Sequence, residues 1–401
     1  MPAARSTSQP AAPLRQMTFG ERLESLTRRM EARDARGPAA GILGCVLALL
    51  GIGLLIQASH ASTTVPAEHF ADELRGLLVY RIAGLGVLLV AMRIGPRRLA
   101  PLVPALTALA ILSLLAVYIP GVGVAVNGAR RWLQVPGVGI TIQPSELARV
   151  VLVLWVARRC VQLGDRVRDV RQGFLPMLVF SLVLSGLILF EPDLGGSMLF
   201  LCCLLATMWV GGARPSHLAG SLGVIGGGVL VLLMTWLAHA RERIAIWMGE
   251  SVNPQVERSL SAMSSGDLVG VGLAQGGWRN AGLPYHQTDY VLTMIGEELG
   301  FLGVALVLAI LVAYAWQSLR MVVSIRDRYC ALAAFGLLIS VALQAMLHAQ
   351  VATGLAPPKG MNLPLVSDGG SSLLATCLAV GLALGAAQPQ ESDQDDPLTS
   401  A

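Results

Sequence analysis

The sequence predicts an all-α polytopic membrane protein, and three observations carry that prediction. Of its 401 residues, 54% are hydrophobic and only 13% charged, against roughly 25% charged in a soluble domain. Apolar runs of about 20 residues, long enough to cross a hydrocarbon core of roughly 30 Å, recur from Ala39 to Ala387. Arginine gathers in alternate connections between these runs. Most of the chain therefore has lipid for solvent.

Ten runs are legible, at 39–58, 76–94, 99–119, 145–163, 174–190, 196–212, 216–238, 291–316, 329–353 and 370–387. The third and seventh are uninterrupted. The second contains Arg81, which must snorkel, pair inside the bundle or lie before the helix begins. The arm before the first run holds Arg5, Arg15, Arg22, Arg28, Arg29, Arg33 and Arg36. Alternate loops then carry Arg93, Arg97 and Arg98; Arg158, Arg159, Arg166, Arg168 and Arg171; Arg214; and Arg320, Arg326 and Arg328. The positive-inside rule places this set, and with it both termini, in the cytoplasm. The loop 239–290, between the seventh and eighth runs, then lies outside.

Residues 1–37 read as a cytoplasmic arm, largely disordered; its TFGERLESLTRRMEARDAR portion is either solvated or an amphipathic surface helix. Residues 38–388 form the membrane domain, and 389–401 a cytoplasmic acidic tail. The net charge of +4 is mostly the topology signal and implies no nucleic acid. The six cysteines fall in or beside the runs, as small packing residues do. The first run starts near residue 39 and is too long for the h-region of a cleavable signal peptide. No internal repeat is visible, a slight argument against an inverted-repeat transporter.

Three outer segments, 120–144, 239–290 and 354–370, are rich in Gly, Pro, Ser and Asn. Irregular backbone near a membrane needs protein or water around it, so these segments are expected to pack together over a cavity. The first contains NGARRWLQVPGVGITIQPSELAR. There Arg130 and Arg131 suit either lipid headgroups or a substrate phosphate, beside Trp132. Pro144 fits the first helical position, and Glu146 complements the positive helix end. EPDLGGS (191–197) reads as a capped turn, with Glu191 and Asp193 a pair too small to make a cation site alone.

The large loop contains QVERSLSAMSSGDLVGVGL, a short amphipathic helix with a Gly-rich turn after it. Arg243, Arg258 and Arg279 supply cations to the stretch that ends in Asp289. A carboxylate beside cations at a low-dielectric surface suits a general base, and one before a helix equally suits a cap. Glu297 and Glu298 follow two turns on, roughly 12 Å deeper, where a carboxyl must face the bundle interior or water. In GLAPPKGMNLPLVSDGGSSLL, Lys359 is the only lysine of the chain. Its SDGGSS turn, with Ser367 and Ser371, brings backbone N–H groups close to any anion.

Taken in order, NGARRW with QPSELAR, EPDLGGS, LP…TDYV…IGEELG and PPKGMNLPLVSDGGSSLL resemble the SEDS family, the FtsW/RodA group. The resemblance spans roughly residues 40–387, and PPKGMNLP is nearer the FtsW, division branch. It implies a peptidoglycan glycosyltransferase that polymerises lipid II into a nascent glycan strand at the outer face of the inner membrane. A class B penicillin-binding protein is the implied partner, with other division proteins beside it. The family's essential TD aspartate falls on Asp289, after Thr288. Trp278-Arg279 stands where the family has Gln-Lys, Gln287 where it has His, Asp368 where it has Tyr, and Arg149 where it has Lys.

On that reading Asp289 is the general base, and Arg243, Arg279 and Lys359 stabilise the departing pyrophosphate. Mg²⁺ could assist, although no complete cage for it is legible. A lipid II flippase and a non-catalytic divisome scaffold are the rival readings.

Overall fold

Why the second apolar run ends where it does is written in its sequence. In the computed structural model, which describes residues 35–126, 129–134, 141–191, 193–235, 254–278, 288–356 and 360–388, helix α1 (Arg36–Thr64) is followed by α2 (Phe70–Leu99). Gly95 in α2 takes φ +64° just before Pro96, which has no N–H to continue the ladder. The helix breaks there, a 3₁₀ turn follows, and α3 (Val103–Ala116) starts back. Strands β1 (Gly123–Val126), β2 (Ala129–Gln134) and β3 (Thr141–Ile142) then form an antiparallel sheet. The helices resume as α4 (Pro144–Leu163), α5 (Leu175–Phe190), α6 (Leu194–Val210) and α7 (Pro215–Thr235). Next come α8 (Pro254–Ser265), α9 (Val291–Ser324), α10 (Arg328–Ala352) and α11 (Gly370–Gly385).

Each of the ten apolar runs coincides with a helix, and α8 is the amphipathic helix expected in the large loop. By length and composition, α1, the stretch Phe70–Ala116, Val170–Phe190, α9 and α10 are long and apolar enough to cross a membrane. Leu194–Val210 and Gly370–Gly385 are shorter apolar helices. The chain is a predominantly helical, polytopic membrane protein. One correction to the all-α expectation is the small sheet. Val124 pairs with Trp132, a β-branched residue against an aromatic one, both of which favour a pleated surface, and the sequence between the strands is Asn127-Gly128, the hairpin dipeptide.

Contacts join helices distant in the chain at both ends of the bundle. Tyr118 donates to the Leu187 carbonyl, and Ser59 to Glu298, at one end. At the other, Arg328 donates to the Gly211 carbonyl and Gly95 lies against Gly385. In the interior α11 packs along α2 at backbone distance. A Cβ on Gly381 would come within 2.4 Å of the Leu88 carbonyl oxygen, and one on Gly385 within 2.5 Å of that of Met92. This small-xxx-small spacing is how apolar helices associate where lipid offers no hydrophobic drive. All six cysteines are free.

Arg81 lies within α2, is buried and donates to the Leu77 carbonyl. The helix does not start after it, and instead of a charged partner within 4.0 Å among the described residues it bonds a carbonyl of its own helix. The arm and the acidic tail lie outside the described residues.

Candidate active site

Four connections meet at the end of the bundle that carries Asp289. The first enters α4. Gln143 is extended at its N-cap and Pro144 occupies the first turn. The Gln143 N–H donates to Ser371 Oγ at 2.9 Å, at the start of α11. Glu146 Oε2 accepts from Arg149 Nη2 at 2.6 Å, while Ser372 Oγ donates to Oε1 at 3.4 Å. Glu146 thus braces α4 against α11 with its charge balanced by Arg149.

Asp193 caps α6, accepting from the Gly196 N–H at 2.8 Å, so EPDLGGS is the capped turn expected. Gln143 Nε2 reaches Asp193 Oδ2 at 3.4 Å, and Arg131 Nη1 lies 3.9 Å from it. Arg131 Nε donates to the Glu191 carbonyl at 2.8 Å. The hairpin is therefore pinned to the α5–α6 turn through Arg131, whereas Arg130 is exposed on β2. Glu191 is buried, and neither carboxyl oxygen has a partner among the described residues. Burial, with Asp193 beside it, pushes its pKa up to about 8 against the pull of Arg131.

The third connection leads into α9, whose N-cap is Tyr290 with no side-chain cap bond. Asp289 stands one residue outside that cap, half-buried, with Gly360 opposite. A Cβ on Gly360 would lie 3.1 Å from Asp289 Oδ2, so the backbone at Gly360 comes close to the carboxylate and a side chain there would press on it. The carbonyl of the preceding Thr288 accepts from Ser367 Oγ at 2.8 Å, and that hydroxyl accepts from the Leu363 N–H at 2.8 Å. Asp368 is half-buried. Burial raises its carboxyl above the usual range, opposed by Arg81 and assisted by Glu73.

Glu297 and Glu298 are buried as expected, and the structure shows what they hold. α9 breaks at Gly300, at φ +69°, and residues 266–278 fold into the break. The Glu297 and Glu298 carbonyls accept from the N–H groups of Val271 and Gly272, while Phe301 and Leu302 donate to the carbonyls of Asp267 and Leu268. Backbone groups freed by the break are thus paired at a depth where water cannot serve them. The side chains join in: Glu297 Oε1 accepts from the Trp278 N–H at 3.0 Å, and Glu298 Oε2 from Ser59 Oγ at 2.6 Å. Ser59 Oγ in turn accepts from the Ala274 N–H.

Sequence reasoning missed Gln344 and His348 of α10. Gln344 Nε2 donates to the Asn362 carbonyl at 3.2 Å, and His348 Nδ1 contacts the Met361 carbonyl at 2.7 Å. They hold the loop facing Asp289. Their signal was present: two polar residues four apart in an apolar run share one helix face. It also missed Ser259, which bonds Thr293 and the Ala352 carbonyl and seats α8 on α9 and α10. Arg243, Arg279, Gln287 and Lys359 lie outside the described residues. Among the described residues no three His, Cys, Asp or Glu side chains converge.

Residues 40–391 match the FtsW/RodA/SpoVE family, described as cell cycle proteins. A probable peptidoglycan glycosyltransferase FtsW of Trichlorobacter lovleyi is 32% identical over 351 residues, 86% of this chain and 91% of that protein. One from Nitrosococcus halophilus is 33% identical over 369 residues, 89% and 94%. Among solved structures, a chain from a peptidoglycan synthase complex that coordinates polymerization and crosslinking superposes with a TM-score of 0.71 at 27% identity, covering 89% of this chain and 98% of that one. The rod shape determining protein RodA of Thermus thermophilus gives 0.63 at 26% identity, covering 86% and 95%. The fold and site define a polytopic membrane protein of SEDS type. The chain belongs to the FtsW/RodA/SpoVE family.

Proposed function

We propose that this protein is a peptidoglycan glycosyltransferase of the FtsW type, polymerising lipid II, with Asp289 as general base. The observation that carries the reading is the seat of Asp289: outside the helix cap, faced by Gly360, with its neighbour Thr288 fixed by Ser367. A half-buried carboxylate one residue outside the helix cap, at the end where the polar loops meet, is where a general base would stand. In the reaction, Asp289 takes the proton of a sugar 4-hydroxyl as that oxygen bonds to the anomeric carbon of a second lipid-linked disaccharide. The bond from that carbon to the polyprenyl diphosphate breaks, and a single displacement inverts α to β. Arg243, Arg279 and Lys359 are the cations we assign to the diphosphate, with Arg130 and Arg131 at the headgroup. Ser371 bridges α11 to Gln143 at the same mouth.

The same reading takes ten crossings, both termini in the cytoplasm and Asp289 on the outer face of the inner membrane, following the arginine distribution. A class B penicillin-binding transpeptidase is the partner we infer, because the similar synthase complex couples polymerization to crosslinking. The test is glycan polymerisation from purified lipid II by this chain with its cognate transpeptidase, wild type against Asp289→Ala. Polymer from the wild type alone is expected. Equal polymer from both contradicts the assignment of Asp289, and no polymer from either contradicts the transferase.

A further inference from the structure

At the opposite end of the bundle from Asp289, the α4–α5 and α6–α7 connections enclose a cavity of about 520 Å³ lined by Arg168, Arg171, Arg214 and His217, with Asp165 and Asp169. α4 starts beside Ser371 and runs 20 residues, about 30 Å of rise, so its far end is a full helix length from the proposed active site. None of the three guanidinium groups forms an ion pair among the described residues. Asp169 is already engaged. Its Oδ1 accepts the N–H groups of Arg171 and Gln172, each at 2.8 Å; these bonds, Gln172 foremost, and then the charges of Arg171 and Arg214 hold its carboxyl below the usual range. His217 lies against the Phe174 ring with centroids 5.6 Å apart, and its buried Nδ1 has no partner among the described residues.

We propose that this cavity binds the phosphate headgroup of an anionic phospholipid in the leaflet opposite Asp289. Arginine's planar fork matches phosphate oxygens, and three guanidinium groups on two connections line this pocket with no ion pair within 4.0 Å among the described residues. The lipid source, rather than a soluble phosphate, follows from what lies beneath Arg171. Leu175, Val179 and Val183, spaced by one helical turn along α5, are 44%, 50% and 59% exposed. This apolar stripe faces acyl chains and ends at the arginine, which places the cation at headgroup level. Val170, in the cavity wall, is likewise 43% exposed. Basic pockets between helix ends on the arginine-rich face recognise anionic lipid in this way. The inference rests on the membrane-spanning reading and is independent of glycosyl transfer.

The test is native mass spectrometry of the full-length chain with added phosphatidylglycerol or phosphatidylcholine, with and without inorganic phosphate. The comparison is wild type against Arg171→Gln/Arg214→Gln, with Arg93→Gln, an exposed arginine near the arginine-rich end of α2, as a control. Each arginine near an anionic headgroup contributes about fivefold, so the double variant should retain phosphatidylglycerol roughly 30-fold less, and the control should match wild type. Phosphatidylglycerol should also raise the wild-type melting temperature more than phosphatidylcholine, a readout that does not depend on the variants folding. Equal retention by wild type and double variant, or equal retention of the two lipids, overturns the site. An equal loss in the Arg93 control reduces it to general surface charge. Displacement by inorganic phosphate overturns the lipid assignment in favour of a soluble phosphate ligand.

Discussion

The hydroxyl of Ser367 donates to the Thr288 carbonyl and accepts from the Leu363 N–H. One side chain thereby ties the residue before Asp289 to the loop that carries Gly360. Ser367→Ala removes both bonds and leaves the buried Leu363 N–H without its acceptor, at about 1–3 kcal/mol. A misplacement near 1 Å costs about 100-fold in rate, so we expect polymerisation to fall by roughly 10–100-fold while the protein still folds, read by lipid II turnover beside a thermal melt. Glu191 gives a pH signature. Its carboxyl, raised to about 8, stays protonated in the folded protein at pH 7 while an unfolded glutamate ionises near 4.5. The folded state then binds the extra proton, so its contribution to stability is complete below pH 4.5 and is lost as pH rises toward about 8. Melting temperature should fall across that window in the wild type, and Glu191→Gln should flatten the fall. A slope unchanged by the substitution contradicts the buried neutral acid. Of these two residues the sequence displayed both, as Ser367 in SDGGSS and Glu191 in EPDLGGS. It could not display their partners, because bonds from Ser367 to Thr288 and from Arg131 to Glu191 span 79 and 60 positions.

The element on which the site's architecture depends is the interrupted helix α9. Gly300 is held at φ +69°, and a Cβ there would lie 2.4 Å from the Gly270 nitrogen. Gly300→Ala therefore meets both a disfavoured backbone region and the chain folded into the break. It should destabilise the protein by about 2 kcal/mol or more and release the 266–278 segment, seen as faster amide exchange at 267–272 and a lower melting temperature. Unchanged exchange would mean that the seam is not what orders this segment. From sequence, the depth of Glu297 and Glu298 was readable by counting residues along an apolar run. The break was not, because IGEELGFLG reads as continuous helix with a tolerated glycine. Only the tertiary pairing of residues 267, 268, 271 and 272 makes Gly300 necessary. The hairpin failed for the opposite reason: Asn127-Gly128 was on the page, but an all-helical membrane composition outweighed a strand signal only a few residues long.

At the scale of the molecule, ten apolar runs became helices because hydrocarbon leaves the backbone few other ways to satisfy itself. This is why fold class was legible where loop geometry was not. The same bundle separates two chemistries by its length. The Gly-rich loops and Asp289 gather at one end, and the pocket of Arg168, Arg171 and Arg214 lies at the other. Motif order alone brought Gln143, Asp193, Asp289 and the 360–371 turn into one reading, and the long-range bonds among their loops give that order its spatial meaning. The central claim is that Asp289 moves a proton rather than shaping the loop. It is tested most directly by the initial rate of lipid II polymerisation for Asp289→Asn, an isostere that keeps the hydrogen-bonding shape and loses the base, with lipid II binding measured in parallel. The account predicts a rate at least about 100-fold lower with binding and melting temperature close to wild type. A rate for Asp289→Asn within a few-fold of wild type would contradict it.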